Sequence, residues 1–483
     1  MADSSTPQIA QAPSSDRALG GDAPAAPGGA PAHAVADAGV DAGAAAPEAS
    51  EGAAGVASKG PRRFVGRRRA MQQREAAGEG AGDEQAVQTG RAGGVRSRVV
   101  NTIPDEIVHD AALNEAIAGA LPAHYNFEVH KTVWRAREAN ATSVALQLPE
   151  GLQMFACPLS DIISRFADVE CVVLGDVTYG ACCVDDLTAR ALGADFLVHY
   201  GHSCLIPIDK CSLPVLYVFV DIAIDSEHLV ASLKHSFKAD QRLLIVGTVQ
   251  FIASVHKVRD TLAAHFQEVT IPQSRPLSKG EVLGCTAPTI QAGSVDSVVY
   301  VGDGRFHLEA IMIANPDLPY FRYDPYSKVL SAEGYAHEQL HANRKAAIAA
   351  AANAATFGVV LGTLGRQGNP HVVDRIRGLL QARGRRYVVV LLSEITPEKL
   401  RTFEGIDAWV QVACPRLSID WGHFFDKPLL SPYEVEVALK ETEWREVYPM
   451  DYYSQAGGPW SNYPRNSAAK EIERAENAAA VKA

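Results

Sequence analysis

The sequence predicts an α/β protein of three similar parallel-sheet domains behind a disordered N-terminal tail. Three observations carry that prediction. Apolar runs such as FLVHY (196–200) and RLLIVG (242–247) alternate with helical segments, and strands that are apolar on both faces belong to parallel sheets covered on both sides. The same strand–helix grammar recurs in three units of roughly 100 residues, an ordinary domain size. Each unit places a cysteine in a loop after a strand: Cys182, Cys285 and Cys414.

Length and composition agree with this. The chain has 483 residues, 47% of them hydrophobic and 21% charged, so core volume is not limiting. A net charge of −11 argues against general nucleic-acid affinity. No apolar stretch approaches the roughly 20 residues a membrane span needs. The N-terminus lacks the basic and apolar regions of a signal or transit peptide. The expected location is a reducing cytoplasm, where the eight cysteines are thiols or metal ligands and not staples.

Taken in order, residues 1–95 are rich in Ala, Gly and Pro without periodicity, the composition of a disordered tail. Inside it, KGPRRFVGRRRAMQQR (59–74) is either a localisation or RNA-contact signal or a solvated basic stretch. The first domain, 96–226, opens with helical patterns at 106–119 and 127–138. A strand at 143–148, a helix at 152–166 and a strand at 169–177 follow. Next come the turn GDVTYGACCVDD (175–186) and a helix at 184–193, with Asp185 and Asp186 in its first turn and Gly193 at its end. Strands at 194–203 and 214–221 complete the unit.

The second domain, 227–335, repeats the pattern: strand 242–249, helix 250–266, strand 268–274 and a turn at 280–288 carrying Cys285. A short helix with Pro288 in its first turn and Gly293 at its end is expected next. Strands at 295–304 and 318–325 close it. ADFLVHYGHS (194–203) and VDSVVYVGDG (295–304) are the clearest internal match. The third domain, 336–445, has a strand from Phe357, a helix at 371–384 and a strand at 385–395. A short helix capped by Thr396 follows, then a strand that ends in Cys414 and Pro415. A C-terminal segment, 446–483, is partly disordered.

Loops at the carboxyl ends of parallel strands are where such sheets place chemistry. Each cysteine alone reads as a small buried hydrophobe, and Cys157, Cys171, Cys183, Cys204 and Cys211 keep that reading. Equivalent position lifts Cys182, Cys285 and Cys414 above it. Three units packed about a pseudo-threefold axis would bring these loops to one point. Cys182 and Cys285 each precede an expected helix N-terminus, which favours thiolate. Three thiolates suit an iron–sulfur cluster with one iron left open. The alternative is a structural zinc with a fourth ligand such as His202. LGTLGRQGNP (361–370) reads as an anion cradle or a tight turn. VGDGRFH (301–307), with Asp303, Arg305 and His307, reads as cavity lining or a turn, and LPEG (148–151) is similar.

Several of these stretches resemble one family. LQLPEGL (146–152), GDVTYGACCVDD, DFLVHYGHSCLIP (195–207), VGDGRFH, GRQGNP (365–370), ACPRLSIDWG (413–422), KPLLSPYEVEVAL (427–439) and YPMDYY (448–453) are similar to the subunit 1 family of 2-(3-amino-3-carboxypropyl)histidine synthase. That family makes the first step of diphthamide biosynthesis. The resemblance spans roughly residues 95–455 and implies three α/β domains in a triangle around a central [4Fe–4S] cluster, with Cys182, Cys285 and Cys414 at the ligand positions. It implies that S-adenosylmethionine is the co-substrate and that its 3-amino-3-carboxypropyl group goes, as a radical, to C2 of a histidine of elongation factor 2. It further implies a heterodimer with a related second synthase subunit and a small iron protein as electron donor. That second subunit lacks the full cysteine set, so this chain resembles the catalytic one. Family members from archaea carry a single cysteine after Gly-Ala, which matches Cys182 and leaves Cys183 as the competing ligand. Side chains that contact S-adenosylmethionine are not assignable from these motifs. A non-catalytic scaffold or zinc-binding subunit supporting the partner is the other reading.

Overall fold

The computed structural model of the chain describes residues 102–176 and 178–462. The tail, the basic stretch at 59–74 and the end of the chain from 463 lie outside the described residues. Two short helices, α1 (Asp105–Val108) and α2 (Ala111–Ala120), and a strand, β1 (Tyr125–Asn126), lead into α3 (Val129–Glu138). The pattern at 106–119 suggested one helix. Asp110 divides it, because its carboxylate accepts the backbone N–H groups of Ala112 and Leu113 and caps a new helix.

The first sheet contains β2 (Ser143–Gln147), β3 (Glu170–Leu174), β4 (Phe196–Tyr200) and β5 (Val215–Val218), all parallel, in the order β3-β2-β4-β5. α4 (Ala156–Ala167) and α5 (Asp186–Ala191) are its crossovers. A short β6 (Asp221–Ile222) pairs antiparallel with β1, and α6 (Ser226–Ser236) leads to the second sheet.

That sheet holds β7 (Arg242–Gly247), β8 (Glu268–Thr270), β9 (Ser297–Val301), β10 (Tyr320–Asp324) and β11 (Val329–Glu333), ordered β11-β10-β9-β7-β8. Helix α7 (Ile252–Ala263) joins β7 to β8, and α8 (Phe306–Ala314) joins β9 to β10. β11 is antiparallel to β10, and the other pairs are parallel. After α9 (His337–Ala352) the third sheet holds β12 (Thr356–Gly362), β13 (Arg386–Leu392), β14 (Ala408–Val412) and β15 (Leu429–Leu430), ordered β13-β12-β14-β15, with α10 (Pro370–Ala382) joining β12 to β13 and α11 (Pro397–Arg401) joining β13 to β14.

The three sheets therefore share one parallel strand order. In each, the second strand lies on one side of the first, and the third and fourth follow on the other. The matched strands β4 and β9 hold equivalent places, with Val144 opposite Phe196 in one sheet and Leu243 opposite Ser297 in the other. β4, β9 and β14 are buried along their whole length, which is why they read as unbroken apolar runs. The fold class is the one the sequence predicts. Among the described residues no helix is long and apolar enough to cross a membrane.

Further elements differ from expectation. The helix expected at 288–293 does not form. Ala287 N–H donates to Met450 O (2.9 Å) and Ile290 N–H to the Asn315 side chain (2.7 Å), so an extended segment has its backbone partners without one. Helix α8 was not foreseen. Six of its nine residues are buried, and a helix apolar all round has no 3.6-residue stripe to read. The strand expected to run to Pro415 stops at Val412, and Pro415 opens a helix, α12 (Pro415–Trp421).

Candidate metal centre

The turn carrying Cys182 and Cys183 connects β3 to α5. Asp185 caps α5 by accepting the Thr188 N–H, as its place in the sequence suggests. The turn is gripped from the third sheet. The loop after β12, GRQGNP, docks on it: Arg366 N–H donates to Cys182 O (2.9 Å), and Gln367 Nε2 donates to the Cys183 thiol (3.3 Å). Arg366 also forks onto both oxygens of Asp186, at 2.7 and 2.6 Å. Gly365 has φ +53°, and a Cβ there would strike the Cys183 backbone. So the suspected anion cradle is a tight turn, and its occupant is the cysteine turn of another sheet. Inside the first sheet, Gln147 Nε2 donates to Cys183 O (2.8 Å) and its Oε1 accepts from His199 Nδ1 (2.8 Å). With Nδ1 donating, His199 Nε2 is bare, and it has no partner among the described residues. Cys183 is thus held on both sides by glutamines and fully buried.

Cys285 sits at the tip of a tight reversal between β8 and β9. Leu283 and Thr286 exchange backbone hydrogen bonds at 2.9 and 3.2 Å. Gly284 lies against the Phe306 ring, at the start of α8, where a Cβ would overlap the ring. Cys414 follows β14 and is the N-cap residue of α12. The helix N-terminus expected beside Cys285 is therefore absent, and Cys414 has one instead. Gln411 Nε2 fixes the Cys414 carbonyl at 2.9 Å and reaches Ser418 Oγ at 3.0 Å. Buried Arg344 on α9 ties down the far side of α12: it donates to Ser418 O at 2.7 Å and pairs with Glu434 at 2.6 Å.

Arg416, two residues after Cys414, joins the second and third sheets. Its guanidinium donates to Phe306 O (2.7 Å) and Gly284 O (3.3 Å), pairs with Glu309 (2.6 Å) and Asp420 (2.8 Å), and stacks 4.4 Å from the Phe306 ring centre. The C-terminal segment crosses beneath these loops. Tyr452 N–H donates to Cys285 O (3.3 Å) and Tyr453 N–H to Thr286 Oγ1 (3.0 Å), while Asn369 of the docked loop reaches Asn462 (3.0 Å). Tyr452 and Tyr453 share one apolar cluster with Ala181, Cys182 and Cys285.

The electrostatics link the three thiols. Burial pushes Cys285 up to about 12, with the Cys414 thiol adding to it and Arg416 opposing. Burial pushes Cys414 up to about 11, against the Arg416 backbone and charge. The Cys182 thiol is raised well above the usual range by donating to Cys183, then by burial, then by the thiols of Cys183, Cys414 and Cys285. As acceptor of that bond, Cys183 falls to about 7. Cys182, Cys285 and Cys414 therefore lie within electrostatic reach of one another, although each comes from a different sheet. Three thiolates crowded out of water repel unless a cationic group takes them. Among the described residues no three His, Cys, Asp or Glu side chains form a single-ion site. A cluster needs no such site, because it takes one thiolate per iron. The donor set fits an iron–sulfur cluster. His202, the fourth ligand of the zinc reading, stacks on His199 with ring centres 5.2 Å apart, and burial lowers it to about 4.

Of the other sequence candidates, His307 is half-buried and lowered to about 4, first by desolvation and then by His202 and Arg416. Arg305 faces outward to Glu309 and Glu333, and Asp303 offers its carbonyl to Arg322. Glu150 opens a 3-10 turn and is exposed. Sequence reasoning missed Arg366, Gln367, Arg416 and Tyr452. Each lies in a stretch it had singled out, but their partners are over a hundred residues away.

Comparison with known proteins gives consistent matches. Residues 148–449 match the family model for "diphthamide synthesis protein". The chain is 58% identical over 372 residues to 2-(3-amino-3-carboxypropyl)histidine synthase subunit 1 of Gallus gallus, covering 77% of this chain and 90% of that protein. It is 55% identical over 375 residues to the Homo sapiens protein of the same name, covering 77% and 85%. Among solved structures, Dph2 from Pyrococcus horikoshii with a 4Fe-4S cluster superposes with a TM-score of 0.57 at 28% identity, covering 67% of this chain and 94% of that one.

Proposed function

From the premise that this chain belongs to the diphthamide synthesis protein family, as a relative of 2-(3-amino-3-carboxypropyl)histidine synthase subunit 1, we propose that it is the cluster-bearing subunit of the transferase. It moves the 3-amino-3-carboxypropyl group of S-adenosylmethionine to C2 of a histidine of elongation factor 2 and releases methylthioadenosine. Cys182, Cys285 and Cys414 hold a [4Fe–4S] cluster. Its partners are a related second synthase subunit and a small iron protein that delivers electrons, and its compartment is the cytoplasm. The observation that carries this reading is the meeting of three thiols from three separate sheets, together with a solved relative that contains a 4Fe-4S cluster.

When bound, the cluster supplies one electron and an iron without a cysteine ligand. The chain's own residues do the rest. Arg416 fixes the Cys285 and Cys414 loops to each other and is a buried cation whose charge acts on both thiols. Tyr452 and Tyr453 close the lower side with apolar rings and exclude water. Gln367 and Gln147 hold Cys183 in place, leaving Cys182 as the ligand of the pair. The bare Nε2 of His199 and the Thr178 hydroxyl are buried polar atoms without partners, ready for a polar co-substrate.

Anaerobic purification with iron and sulfide analysis tests the cluster. Visible absorption that bleaches with dithionite is expected, and zinc-loaded colourless protein would replace the cluster with a structural metal. Co-substrate labelled in the aminocarboxypropyl carbons tests the transfer. Label must appear in elongation factor 2, and label from the S-methyl group must not. In cells lacking the native gene, Cys285→Ala must abolish diphthamide. Retained diphthamide would make this chain a scaffold.

A further inference from the structure

We infer that the Tyr452 hydroxyl donates a hydrogen bond to a sulfur of the cluster and thereby sets the potential at which the cluster takes up its electron. This rests on the assignment of the three cysteines as ligands. Tyr452 is 4% exposed, and its hydroxyl has no hydrogen-bond partner among the described residues. Nearly all buried polar side-chain atoms have one. The Tyr200 and Tyr300 hydroxyls also lack one among the described residues, but those rings lie in other clusters, whereas Tyr452 lies beside candidate ligands. The phenol packs in one apolar cluster with Cys182 and Cys285, two of the three candidate ligands. An ordinary phenol is protonated at neutral pH, so it is a donor placed beside sulfur.

The backbone fixes the hydroxyl relative to the site. Tyr452 N–H is bonded to the carbonyl of Cys285 itself (3.3 Å), its own carbonyl takes Asn462 N–H (2.7 Å), and the preceding Asp451 pairs with Thr286. Its ring packs edge-on against Tyr453 with centres 5.2 Å apart. The donor therefore travels with a ligand loop. Tyr217, in the same apolar cluster, makes the contrast: its hydroxyl is committed to Ile206 O at 2.8 Å. Hydrogen bonds to cluster and ligand sulfurs stabilise the more negative, reduced state and raise the potential.

The test is a redox titration of full-length, anaerobically purified protein, followed by electron paramagnetic resonance. At the potential where the wild type is half reduced, Tyr452→Phe should have a reduced-to-oxidised ratio lower by about three- to tenfold, a tenfold change being 59 mV for one electron. Tyr217→Phe should titrate like the wild type. A readout that needs no variant is hyperfine spectroscopy of reduced wild type grown on ring-deuterated tyrosine, which should show tyrosine deuterons coupled to the cluster. An unmoved potential in cluster-loaded Tyr452→Phe, or no tyrosine deuteron coupling in the wild type, overturns the inference alone. Iron-free wild type overturns it together with the ligand assignment.

Discussion

Arg366→Met should loosen the cysteine turn more than any other single change outside the cysteines. Arg366 is 28% exposed and Asp186 is 0% exposed, and their two hydrogen bonds join the first sheet to the third. Removing one partner of a fully buried pair costs about 3–5 kcal/mol, mostly by stranding the other charge. Here Asp186 keeps the Ser212 N–H, and the pair is partly solvated on the arginine side, so about 2–3 kcal/mol is expected. Burial raises the Asp186 carboxyl, but Arg366 and Ser212 outweigh it and hold it below its ordinary value. The stability this pair contributes is therefore present above about pH 4 and is lost as pH falls through the lower folded value. The assay is a double-mutant cycle with Asp186→Asn, read by urea unfolding and by the rate of iron loss to a chelator. The double variant should recover about 1–2 kcal/mol relative to the sum of the singles. Unchanged urea midpoint and iron retention in Arg366→Met, or zero coupling in the cycle, would refute the reasoning.

Cys182→Ala should lose iron, whereas Cys183→Ala should keep it at a cost of about 1 kcal/mol, since that side chain has Gln367 as its partner; iron-to-protein ratios decide. Gly284→Val should destabilise the Cys285 loop, because its side chain would overlap the Phe306 ring on which Arg416 stacks; iron content should fall while far-ultraviolet circular dichroism stays constant. His202 and His307 are each lowered to about 4, chiefly by burial, against about 6.5 in the unfolded chain. The unfolded chain binds more protons between those values. Stability should be full above about pH 6.5 and decline toward pH 4, by up to roughly 3 kcal/mol per histidine. Urea midpoints across that range should show the slope, and His307→Gln should flatten it.

The strands were legible because burial on two faces demands unbroken apolar runs, which a sequence displays directly. FLVHY and SVVYV reveal equivalent strands for that reason. The Thr396 cap was legible too, being a local bond to Lys399 N–H. By contrast, α8 left no periodic signal, since it is buried on nearly every side. The helix misread at 288–293 had the right local punctuation, but the Asn315 side chain takes the Ile290 N–H and donates to Pro288 O, while Met450 of the C-terminal segment takes the neighbouring Ala287 N–H.

The candidate site divides the same way. Three cysteines after three strands could be picked from repetition alone, because parallel sheets place their loops by a fixed rule. How the surroundings of the two adjacent cysteines differ could not, since the loop that reaches the Cys182 carbonyl through Arg366 N–H and the Cys183 thiol through Gln367 comes from another sheet. The same holds for Arg416 and Tyr452, whose partners Phe306 and Cys285 belong to another sheet. By itself the sequence determined the fold class, the strand order's building blocks and the candidate ligands, all set by local patterns of burial and turning. Only the tertiary structure decided how these loops lock together and which buried polar groups, Tyr452 among them, are left without a partner among the described residues. Those properties come from contacts between distant residues, whose hydrogen bonds and charges have no local trace.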